Sequence, residues 1–355
     1  MLIIIQTMIA RKLLWPNEPP DYLTPLPQSS IMHRQERKFV ERSFLSSVEA
    51  KSRQEYRRGT IMRIVVTGAN GQLGRACLER LGREHEVIAL GHAELELERP
   101  DCVERLVATA AELVIHPAAY TNVDGCARDP VLAYRVNGLG TRYVALACQQ
   151  LNAPLVYIST NEVFDGAASS PYVEYDHAAP INAYGRSKWA GEQAVRELAR
   201  RFYIVRVAWL FGGERNFVRT VLRLADQHDT ISMVADEIGS PTYVPDLAEA
   251  LAQLIQLPFY GTYHLVNEGA CSRLEFAAAI LRLSGHEHVA LQPIALADYQ
   301  RASLVPPYTP LNNVAAAVLG LRLRPWHAAL AEYLGQLGRH TTRVIPPRHQ
   351  GTKAW

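Results

Sequence analysis

Tyr184 and Lys188 are the residues whose type and spacing point most directly to acid–base chemistry. They stand four positions apart at the start of a predicted helix, so their side chains share one helix face. A free tyrosine has a pKa of about 10, and a neighbouring ammonium group lowers that pKa because it stabilises the phenolate. Such a tyrosine can exchange a proton with a substrate oxygen near neutral pH. Surface pairs without a catalytic role have the same spacing, so the pattern needs support from elsewhere in the chain.

Thr160 adds a hydroxyl group to this pair. It follows the predicted strand Leu155–Ser159, and the carboxyl ends of parallel strands face the ligand crevice of an open α/β sheet. Its alternative role is to cap a helix. Taken with the order of the motifs along the chain, we predict that Thr160, Tyr184 and Lys188 are the catalytic residues.

A glycine-rich turn precedes these residues. Gly68, Gly71 and Gly74 follow the predicted strand Arg63–Thr67 in a GxxGxxG pattern and open a predicted helix. In this context the glycines allow a tight turn, close approach to a pyrophosphate and close helix–strand packing. The N–H groups at the helix N-terminus would hold the phosphate. The predicted dinucleotide-binding residues of the turn are Gly68, Asn70, Gly71, Gln72, Leu73 and Gly74.

The residues after the second predicted strand bear on the choice of cofactor. Sites that prefer NAD usually have an acidic residue there, which binds the ribose hydroxyls. This strand ends in Leu90-Gly91-His92, without an acid, whereas Arg63 and Arg75 lie close to the glycine turn in sequence. We therefore predict NADPH, with NADH as the alternative. The two arginines are either ligands of the 2′-phosphate or plain surface charges.

Short apolar runs alternate with helical stretches from Met62 onwards. The predicted strands are Arg63–Thr67, Glu86–Leu90, Leu113–His116, Leu155–Ser159, Tyr203–Val207, Ile231–Ala235 and Tyr263–Asn267. The predicted helices are Gln72–Leu81, Pro130–Leu151, Tyr184–Arg200, Phe217–Gln227, Pro245–Gln256, Arg273–Ser284 and Pro325–Leu334. The strands are almost continuously apolar, as expected when both faces of a sheet are covered. We predict an α/β fold, a Rossmann-type doubly wound parallel sheet with a smaller C-terminal substrate-binding lobe.

The same reading divides the chain into four parts. Residues 1–61 include a proline-rich segment and a charge-dense segment, and we expect them to be a disordered or non-native extension before Met62. Residues 62–209 are the predicted NAD(P)-binding domain, to which some later segments return. Residues 210–337 are mainly the predicted substrate-binding lobe, and residues 338–355 are a predicted polar tail.

Composition bears on the partners and the compartment. The chain has 37 basic and 35 acidic side chains, and its small net charge of +2 gives no case for nucleic-acid binding. The five cysteines form no CxxC pair, which argues against a disulfide framework and a structural zinc site. The apolar run near the N-terminus is too short to span a bilayer. We therefore expect a cytoplasmic protein without a nucleic-acid or membrane partner, as a monomer or homodimer.

The order of motifs resembles that of the extended short-chain dehydrogenases/reductases, and within them the dTDP-4-dehydrorhamnose reductase family. The matching motifs are Val66–Gly74, Ala118–Asp124, Val136-Asn137, Ser159-Thr160, Phe164–Gly166, Tyr184–Lys188, Arg206–Trp209, Asn216-Phe217, Asp236–Thr242 and Leu323–Leu330. The likeness extends from about Met62 to Leu337. It is specific because the motifs occur jointly and in one order.

The resemblance implies that NAD(P)H reduces the C4 keto group of a nucleotide-linked 4-keto-6-deoxyhexose, as in the conversion of dTDP-4-dehydro-L-rhamnose to dTDP-L-rhamnose. It implies that Tyr184 donates the proton, Lys188 holds the nicotinamide ribose, and Thr160 hydrogen-bonds the reacting oxygen. It adds to the cofactor site Ala118, Ala119, Tyr120 and Asn137. It implies that a nucleotide-sugar substrate is bound by Thr121, Val123, Glu162, Phe164, Trp209, Asn216, Phe217, Pro241 and Thr242. Some members bind Mg²⁺, but no acidic cluster near Glu332 supports a metal in this sequence.

The chain departs from the family pattern at several places. Asn161-Glu162 replaces the usual Asp-Tyr, His116-Pro117 replaces Asn-Ala, Glu237 replaces a frequent Gln, and Val305–Tyr308 replaces a common Arg-Pro segment. The glutamate resembles that of sugar-nucleotide 4,6-dehydratases, which use an adjacent aspartate as acid. Asn161 cannot take that part because an amide does not titrate near neutral pH.

Two other functions stay open at this stage. One is a sugar-nucleotide epimerase or dehydratase of the same fold. The other is a non-catalytic regulatory subunit resembling that of methionine adenosyltransferase.

Overall fold

The computed structural model describes residues 61–342, with side chains up to residue 338. The predicted N-terminal extension, apart from Ile61, and residues 343–355 of the predicted tail lie outside the described residues. Residues 338–342 of that tail instead continue the last helix. No helix of the described range is long and apolar enough to cross a bilayer.

Six of the twelve strands in the described range form one central sheet. In chain order the twelve strands are β1 (Arg63–Thr67), β2 (Glu86–Leu90), β3 (Leu113–His116), β4 (Leu155–Thr160), β5 (Phe202–Val207), β6 (Leu210–Phe211), β7 (Thr230–Val234), β8 (Ile238–Gly239), β9 (Thr242–Tyr243), β10 (Gly261–His264), β11 (Cys271–Ser272) and β12 (Ala290–Ile294). The central sheet has the order β2-β1-β3-β4-β5-β10, and every neighbouring pair is parallel.

The helices of this range are α1 (Gln72–Leu81), α2 (Cys102–Ala108), α3 (Val123–Arg128), α4 (Pro130–Tyr134), α5 (Thr141–Leu151), α6 (Ala183–Leu198), α7 (Phe217–Ala225), α8 (Val244–Leu254), α9 (Arg273–Leu283), α10 (Val314–Val318) and α11 (Trp326–Thr342). A π-helix (Arg135–Gly140) joins α4 to α5, and short 3₁₀ turns lie at Asn161–Val163 and Leu296–Asp298.

Helices cover both faces of the central sheet. Ile64 and Val66 of β1 pack in one core cluster with residues of α1 and α8, whereas Val65 packs in another with residues of α2 and α5. The chain adds β2 on one side of β1 and β3 on the other, which makes the β1/β3 edge the topological switch point. The predicted α/β fold with a doubly wound parallel sheet is therefore confirmed, and ligands of such sheets bind beyond the strand ends at this point.

A second core lies in the C-terminal half. It is rich in aromatic side chains, among them Phe211, Tyr243, Phe276, Trp326 and Tyr333, contributed by β6, β9, α9 and α11. Its strands form three separate pairs: β7 with β12, β8 with β11, and β6 with β9. By contrast, β10 joins the edge of the central sheet and α8 packs on its face. These later segments therefore return to the sheet.

Two predicted elements differ from the structure in kind or in pairing. The single helix expected over Pro130–Leu151 is α4, the π-helix and α5 in succession. The strand expected at Ile231–Ala235 is β7, which pairs outside the central sheet with β12. Strand β12 has no counterpart among the predicted strands. Pro293 and polar Gln292 interrupt the apolar run that is typical of a buried strand.

Candidate functional site

Thr160, Tyr184 and Lys188 come together at the carboxyl end of β4. Tyr184 lies in the first turn of α6, and the N-cap Asn182 accepts a hydrogen bond from the Gly185 N–H at 2.7 Å. Thr160 is the last residue of β4 and lies beside the Tyr184 phenol, whose pKa its hydroxyl lowers. That hydroxyl donates to Asn161 Oδ1 at 3.2 Å. The structure thus joins the three residues that the sequence predicted to be catalytic.

Burial raises the pKa of the Tyr184 phenol, and the neighbouring Glu162 carboxylate raises it further. The Thr160 hydroxyl acts in the opposite direction but has the smaller effect. The pKa of Tyr184 therefore rises where the sequence predicted a decrease, because desolvation of the phenolate dominates. Tyr184 is fully protonated at neutral pH, which is the form that donates a proton.

Lys188 lies one helical turn after Tyr184 and is only 2% exposed. Burial lowers the pKa of its ammonium group to about 7, and the negative charge of Glu192 opposes that shift. Lys188 Nζ lies 4.2 Å from the centre of the Tyr157 ring, and the Tyr157 hydroxyl donates to the Lys188 carbonyl at 3.0 Å. Tyr157 of β4 therefore fixes the helix turn that carries the lysine.

A buried ion pair also holds α6 against the central sheet. Arg206 of β5 donates from Nε and Nη2 to the two carboxylate oxygens of Glu192, each at 2.9 Å. The Ser159 hydroxyl donates to Glu192 at 2.6 Å. Such charge-assisted, bidentate contacts restrict geometry strongly. They keep α6, and with it Tyr184 and Lys188, in register with β4 and β5.

The glycine turn lies against β3 at the switch point. Gly68 has a φ of +58°, and a Cβ atom there would lie 2.7 Å from Ala118 Cα. A Cβ on Gly74 would lie 2.3 Å from the Gly68 carbonyl oxygen. Gly71 is the N-cap of α1 and gives it no side-chain cap, so the first N–H groups of this helix are available to a phosphate.

A cleft of about 720 Å³ extends from the glycine turn to Tyr184 and Lys188. It is lined by all the predicted cofactor residues except Asn137: Gly68, Asn70, Gly71, Gln72, Leu73, Gly74, Ala118, Ala119, Tyr120, Tyr184 and Lys188, together with Thr121. Its volume is in the range of small-molecule and cofactor sites. An extended cleft with a glycine cradle and a helix N-terminus at one end fits a dinucleotide.

Asn137 acts from behind the cleft. It lies in the π-helix, where its Oδ1 accepts from the Tyr120 N–H at 2.7 Å and its Nδ2 donates to the Tyr120 carbonyl at 3.0 Å. The Nδ2 also donates to Ser187 Oγ at 2.9 Å. π-helical turns are often found at functional sites. Asn137 therefore supports the main chain that lines the cleft, in place of the predicted direct contact.

The two arginines predicted as 2′-phosphate ligands lie elsewhere. Arg63 is at the amino end of β1, opposite to the cleft, and pairs with Glu86 at 3.1 Å. Arg75 is exposed and pairs with Glu214 at 3.0 Å. Neither lines the cleft, whereas Arg215 does. A residue at the start of a strand cannot reach ligands bound at its other end, so the prediction for Arg63 is wrong on geometry.

His116, one of the departures from the family pattern, is a buried core histidine. Its ring nitrogens are hydrogen-bonded to the hydroxyls of Thr67 at 2.7 Å and Thr141 at 3.2 Å. Burial lowers its pKa to about 3. The ring is therefore neutral and joins β1, β3 and α5 beneath the cleft.

Glu162 lies beside Tyr184 and Thr160. Its N–H donates to Thr160 Oγ1 at 3.2 Å, and its carboxylate accepts from Asn182 Nδ2 at 2.6 Å. Burial raises the pKa of this carboxyl to about 7, while Arg301 and Arg273 lower it. A carboxyl group with a pKa near neutral thus adjoins Tyr184.

Trp209 and Phe217, both predicted to contact the substrate, are joined by a residue that the sequence did not single out. The guanidinium carbon of Arg273 lies 3.5 Å from the centre of the Trp209 ring and 5.2 Å from that of Phe217. Arg273 also forms an ion pair with Glu237 at 2.9 Å. No local pattern marks Arg273, because its partner is 36 residues away.

Several predicted substrate residues serve the fold. Phe164 is fully buried and stacks on Tyr172 at 4.1 Å between ring centres. Pro241 and Thr242 are buried, and the Thr242 hydroxyl donates to the Ser240 carbonyl at 3.2 Å. All three residues are thus buried in the fold, and their contact with the substrate stays a prediction.

Two other predicted substrate residues lie at helix starts. Asn216 is the N-cap of α7, and its Nδ2 donates to the Gly213 carbonyl at 2.6 Å and to the Tyr333 hydroxyl at 2.9 Å. Val123, partly buried, begins α3. Within residues 61–338, no cluster of three or more His, Cys, Asp or Glu side chains could hold a metal ion.

Comparisons with known proteins identify the family of the chain. Residues 62–339 match the family model described as RmlD substrate binding domain. The chain is 38% identical over 293 residues to the dTDP-4-dehydrorhamnose reductase of Mycobacterium tuberculosis, across 80% of this chain and 96% of that protein. It is 39% identical over 275 residues to the spore coat polysaccharide biosynthesis protein SpsK of Bacillus subtilis, across 77% of this chain and 96% of that protein.

The crystal structure of dTDP-4-dehydrorhamnose reductase from Bacillus anthracis, in complex with NADP, matches with a TM-score of 0.76. The two sequences are 39% identical, and the match covers 78% of this chain and 100% of the other. A family model that spans most of the chain and relatives of this identity establish the relationship. The chain belongs to the dTDP-4-dehydrorhamnose reductase family.

Proposed function

We propose that this chain reduces the C4 keto group of dTDP-4-dehydro-L-rhamnose to give dTDP-L-rhamnose, with NADPH as the reductant. As a member of its family it is an NAD(P)H-dependent oxidoreductase that acts on a keto group of a sugar nucleotide. The observation that carries the finer proposal is the grouping of Thr160, Tyr184 and Lys188 at one end of the dinucleotide cleft.

In this mechanism Tyr184 donates its proton to the oxygen that becomes the C4 hydroxyl. NADPH, when bound, supplies the hydride that reaches C4. Thr160, at the end of β4 beside the phenol, donates a hydrogen bond to the same oxygen. Because the phenol is protonated at neutral pH, the donor is ready before the substrate arrives.

Lys188 has two functions in this scheme. Its buried amino group holds the hydroxyls of the nicotinamide ribose from the floor of the cleft. In its charged form it also stabilises the Tyr184 phenolate that proton donation leaves behind. The pKa of about 7 means that the charged fraction of Lys188 falls as pH rises above neutral.

The substrate lies between two parts of the chain in this proposal. Residues 62–209 form the NAD(P)-binding domain, and residues 210–337 contribute most of the substrate-binding lobe. From the first part the sugar is contacted by Thr121, Val123 and Glu162, and from the 209–217 region it is contacted by Trp209, Asn216 and Phe217. The exposed or half-buried state of these side chains supports that assignment.

Arg215 replaces Arg63 and Arg75 in the proposed choice of NADPH over NADH. It is the arginine that the structure places in the lining of the cleft. Among residues 61–338 no ion pair occupies Arg215, and a guanidinium group can bind the oxygens of a 2′-phosphate in a bidentate manner. The NADP complex of the Bacillus anthracis reductase is consistent with this preference.

The decisive experiment is an NADPH-oxidation assay on enzymatically generated dTDP-4-keto-L-rhamnose, with product stereochemistry determined by NMR. We expect the Tyr184→Phe variant to lose about two to four orders of magnitude in kcat, the usual scale for a general acid. Its affinity for NADPH should be unchanged. Wild-type activity in this variant would remove Tyr184 from the mechanism, and a strong preference for NADH would refute the cofactor choice.

The dehydratase or epimerase alternative is tested by the same protein preparation. A dehydratase would turn over dTDP-glucose without added NAD(P)H. A dehydratase would need an acid at position 161. Asn161 is instead a buried amide that donates from Nδ2 to Thr309 Oγ1 at 2.7 Å. Co-purification with a synthetase partner, together with no NADPH oxidation on any keto-sugar nucleotide, would favour a regulatory subunit instead.

A further inference from the structure

Arg273 is a positive charge that faces the predicted sugar-binding residues. It is the first residue of α9, and its N–H donates to the Glu237 carbonyl at 3.1 Å, so its main chain is fixed. Its guanidinium group lies flat over Trp209 and near Phe217. The side chain keeps 22% of its surface exposed. The charge is therefore held at the edge of the site and is open to a ligand.

The ion pair with Glu237 leaves part of the guanidinium group free for another partner. Arg273 Nε and Nη2 both donate to one carboxylate oxygen of Glu237, at 3.1 and 2.9 Å. Among the hydrogen bonds of residues 61–338, none uses Arg273 Nη1. This is not the fork arrangement in which two nitrogens meet two oxygens. An anion with several oxygens can satisfy the guanidinium group better than this carboxylate does.

The pair lies within electrostatic reach of the reaction centre. Arg273 and Arg301 lower the pKa of the Glu162 carboxyl, while Glu237 raises it. Arg301 itself is held by Asp124 at 3.1 Å, and that carboxylate also accepts from the Ser303 N–H. Among residues 61–338, the arginine whose guanidinium lies over Trp209 and Phe217 is Arg273, not Arg301. Val305–Pro307, across the site, provides no positive charge.

From this arrangement we infer that Arg273 binds the diphosphate group of the sugar nucleotide, and that Glu237 competes with the diphosphate for the same guanidinium group. The inference rests on the proposed function, which requires a nucleoside diphosphate sugar to bind beside Tyr184. Two phosphate groups need a cation beyond the sugar-binding residues. Arg273 lies on the aromatic surface that is proposed to contact the sugar, and is partly shielded from water, where a charge pair is stronger than at a free surface.

The test compares the affinities of dTDP and thymidine by calorimetry, in wild type and in Arg273→Gln and Glu237→Gln variants. Arg282→Gln, which changes an exposed arginine of the same helix, is the matched control. We expect Arg273→Gln to weaken dTDP binding about 10- to 100-fold, the range of a hydrogen-bonded charge contact. Thymidine binding should not change, and Glu237→Gln should strengthen dTDP binding because it removes the competing carboxylate.

Several outcomes would overturn the inference. They are unchanged dTDP binding in Arg273→Gln, equal losses for dTDP and thymidine, weaker dTDP binding in Glu237→Gln, and no measurable dTDP binding to wild type. Circular dichroism melting shows whether each variant is folded, and the Glu237→Gln result decides the question if Arg273→Gln is not. NADPH oxidation by wild type on the keto-sugar nucleotide tests the proposed function separately. There we expect Arg273→Gln to raise KM more than it lowers kcat.

Discussion

Replacing Glu162 by Gln should make the stability of this protein less sensitive to pH. The carboxyl group is largely buried beside Tyr184, and its pKa rises from 4.5 to about 7 in the folded chain. Because the folded pKa is the higher one, the folded state binds more protons than the unfolded state between these two values. The stability from this group is therefore complete below pH 4.5 and is lost as pH rises through about 7.

The magnitude follows from the difference between the two pKa values. At about 1.4 kcal/mol for each pKa unit, the rise corresponds to about 3 kcal/mol at most. Glu162 keeps partial access to solvent, so we expect about 1–3 kcal/mol. Gln has nearly the same shape and can still accept the Asn182 hydrogen bond, but it carries no charge to desolvate. The variant should equal or exceed wild type at pH 8, and lose that advantage at pH 4.5.

The assay is urea unfolding of both proteins at several pH values from 4.5 to 8. At each pH we take the difference in unfolding free energy between the variant and wild type, which cancels effects common to both chains. The change of this difference with pH tests the prediction. Glu287→Gln, at an exposed site, is the control and should run parallel to wild type. The prediction would be refuted if the unfolding free energies of Glu162→Gln and wild type ran parallel over pH, or if the variant gained stability over wild type as pH falls. Either result would show that burial does not raise the pKa of this carboxyl group.

Three further predictions follow from the site. Gly74→Ala should abolish measurable NADPH binding and lower thermal stability, because the new Cβ would lie 2.3 Å from the Gly68 carbonyl oxygen; unchanged binding in a titration would refute the close-packing argument. Asn137→Ala should lower the unfolding free energy by about 1–3 kcal/mol, since it leaves the Tyr120 N–H and carbonyl without their partner; denaturation measures this loss. The same variant should raise KM for NADPH, which steady-state kinetics measures. A chain that begins at Met62, where the family match starts, should keep wild-type kcat in the NADPH assay.

Much of the fold could be predicted from the chain because its signals are local. Strands β1 to β5 are apolar runs, and the α1 helix opens directly after the glycine turn. The positions of Thr160, Tyr184 and Lys188 also follow locally, from a strand end and from the i, i+4 spacing on one helix. Arg63 could have been excluded from the sequence too, because it stands at the amino end of its strand.

Other features depended on contacts between distant parts of the chain. The π-helical turn around Asn137 depends on Tyr120, 17 residues away, and neither residue carries a pattern that marks such a turn. The pKa of Tyr184 went up where the sequence predicted a decrease, because burial outweighs the charge of a lysine whose own pKa is lowered.

By itself, the sequence determined the class of fold, the glycine turn and the three residues that meet at the end of β4. The tertiary structure decided which charges and which buried surfaces surround them. Only it brought Arg273 to Trp209 and Glu237, and only it placed Phe164 and Thr242 in the core. The physical reason is that hydrogen-bonding and apolar patterns act between near neighbours. Desolvation and ion pairing depend on every group that the folded chain packs around a site.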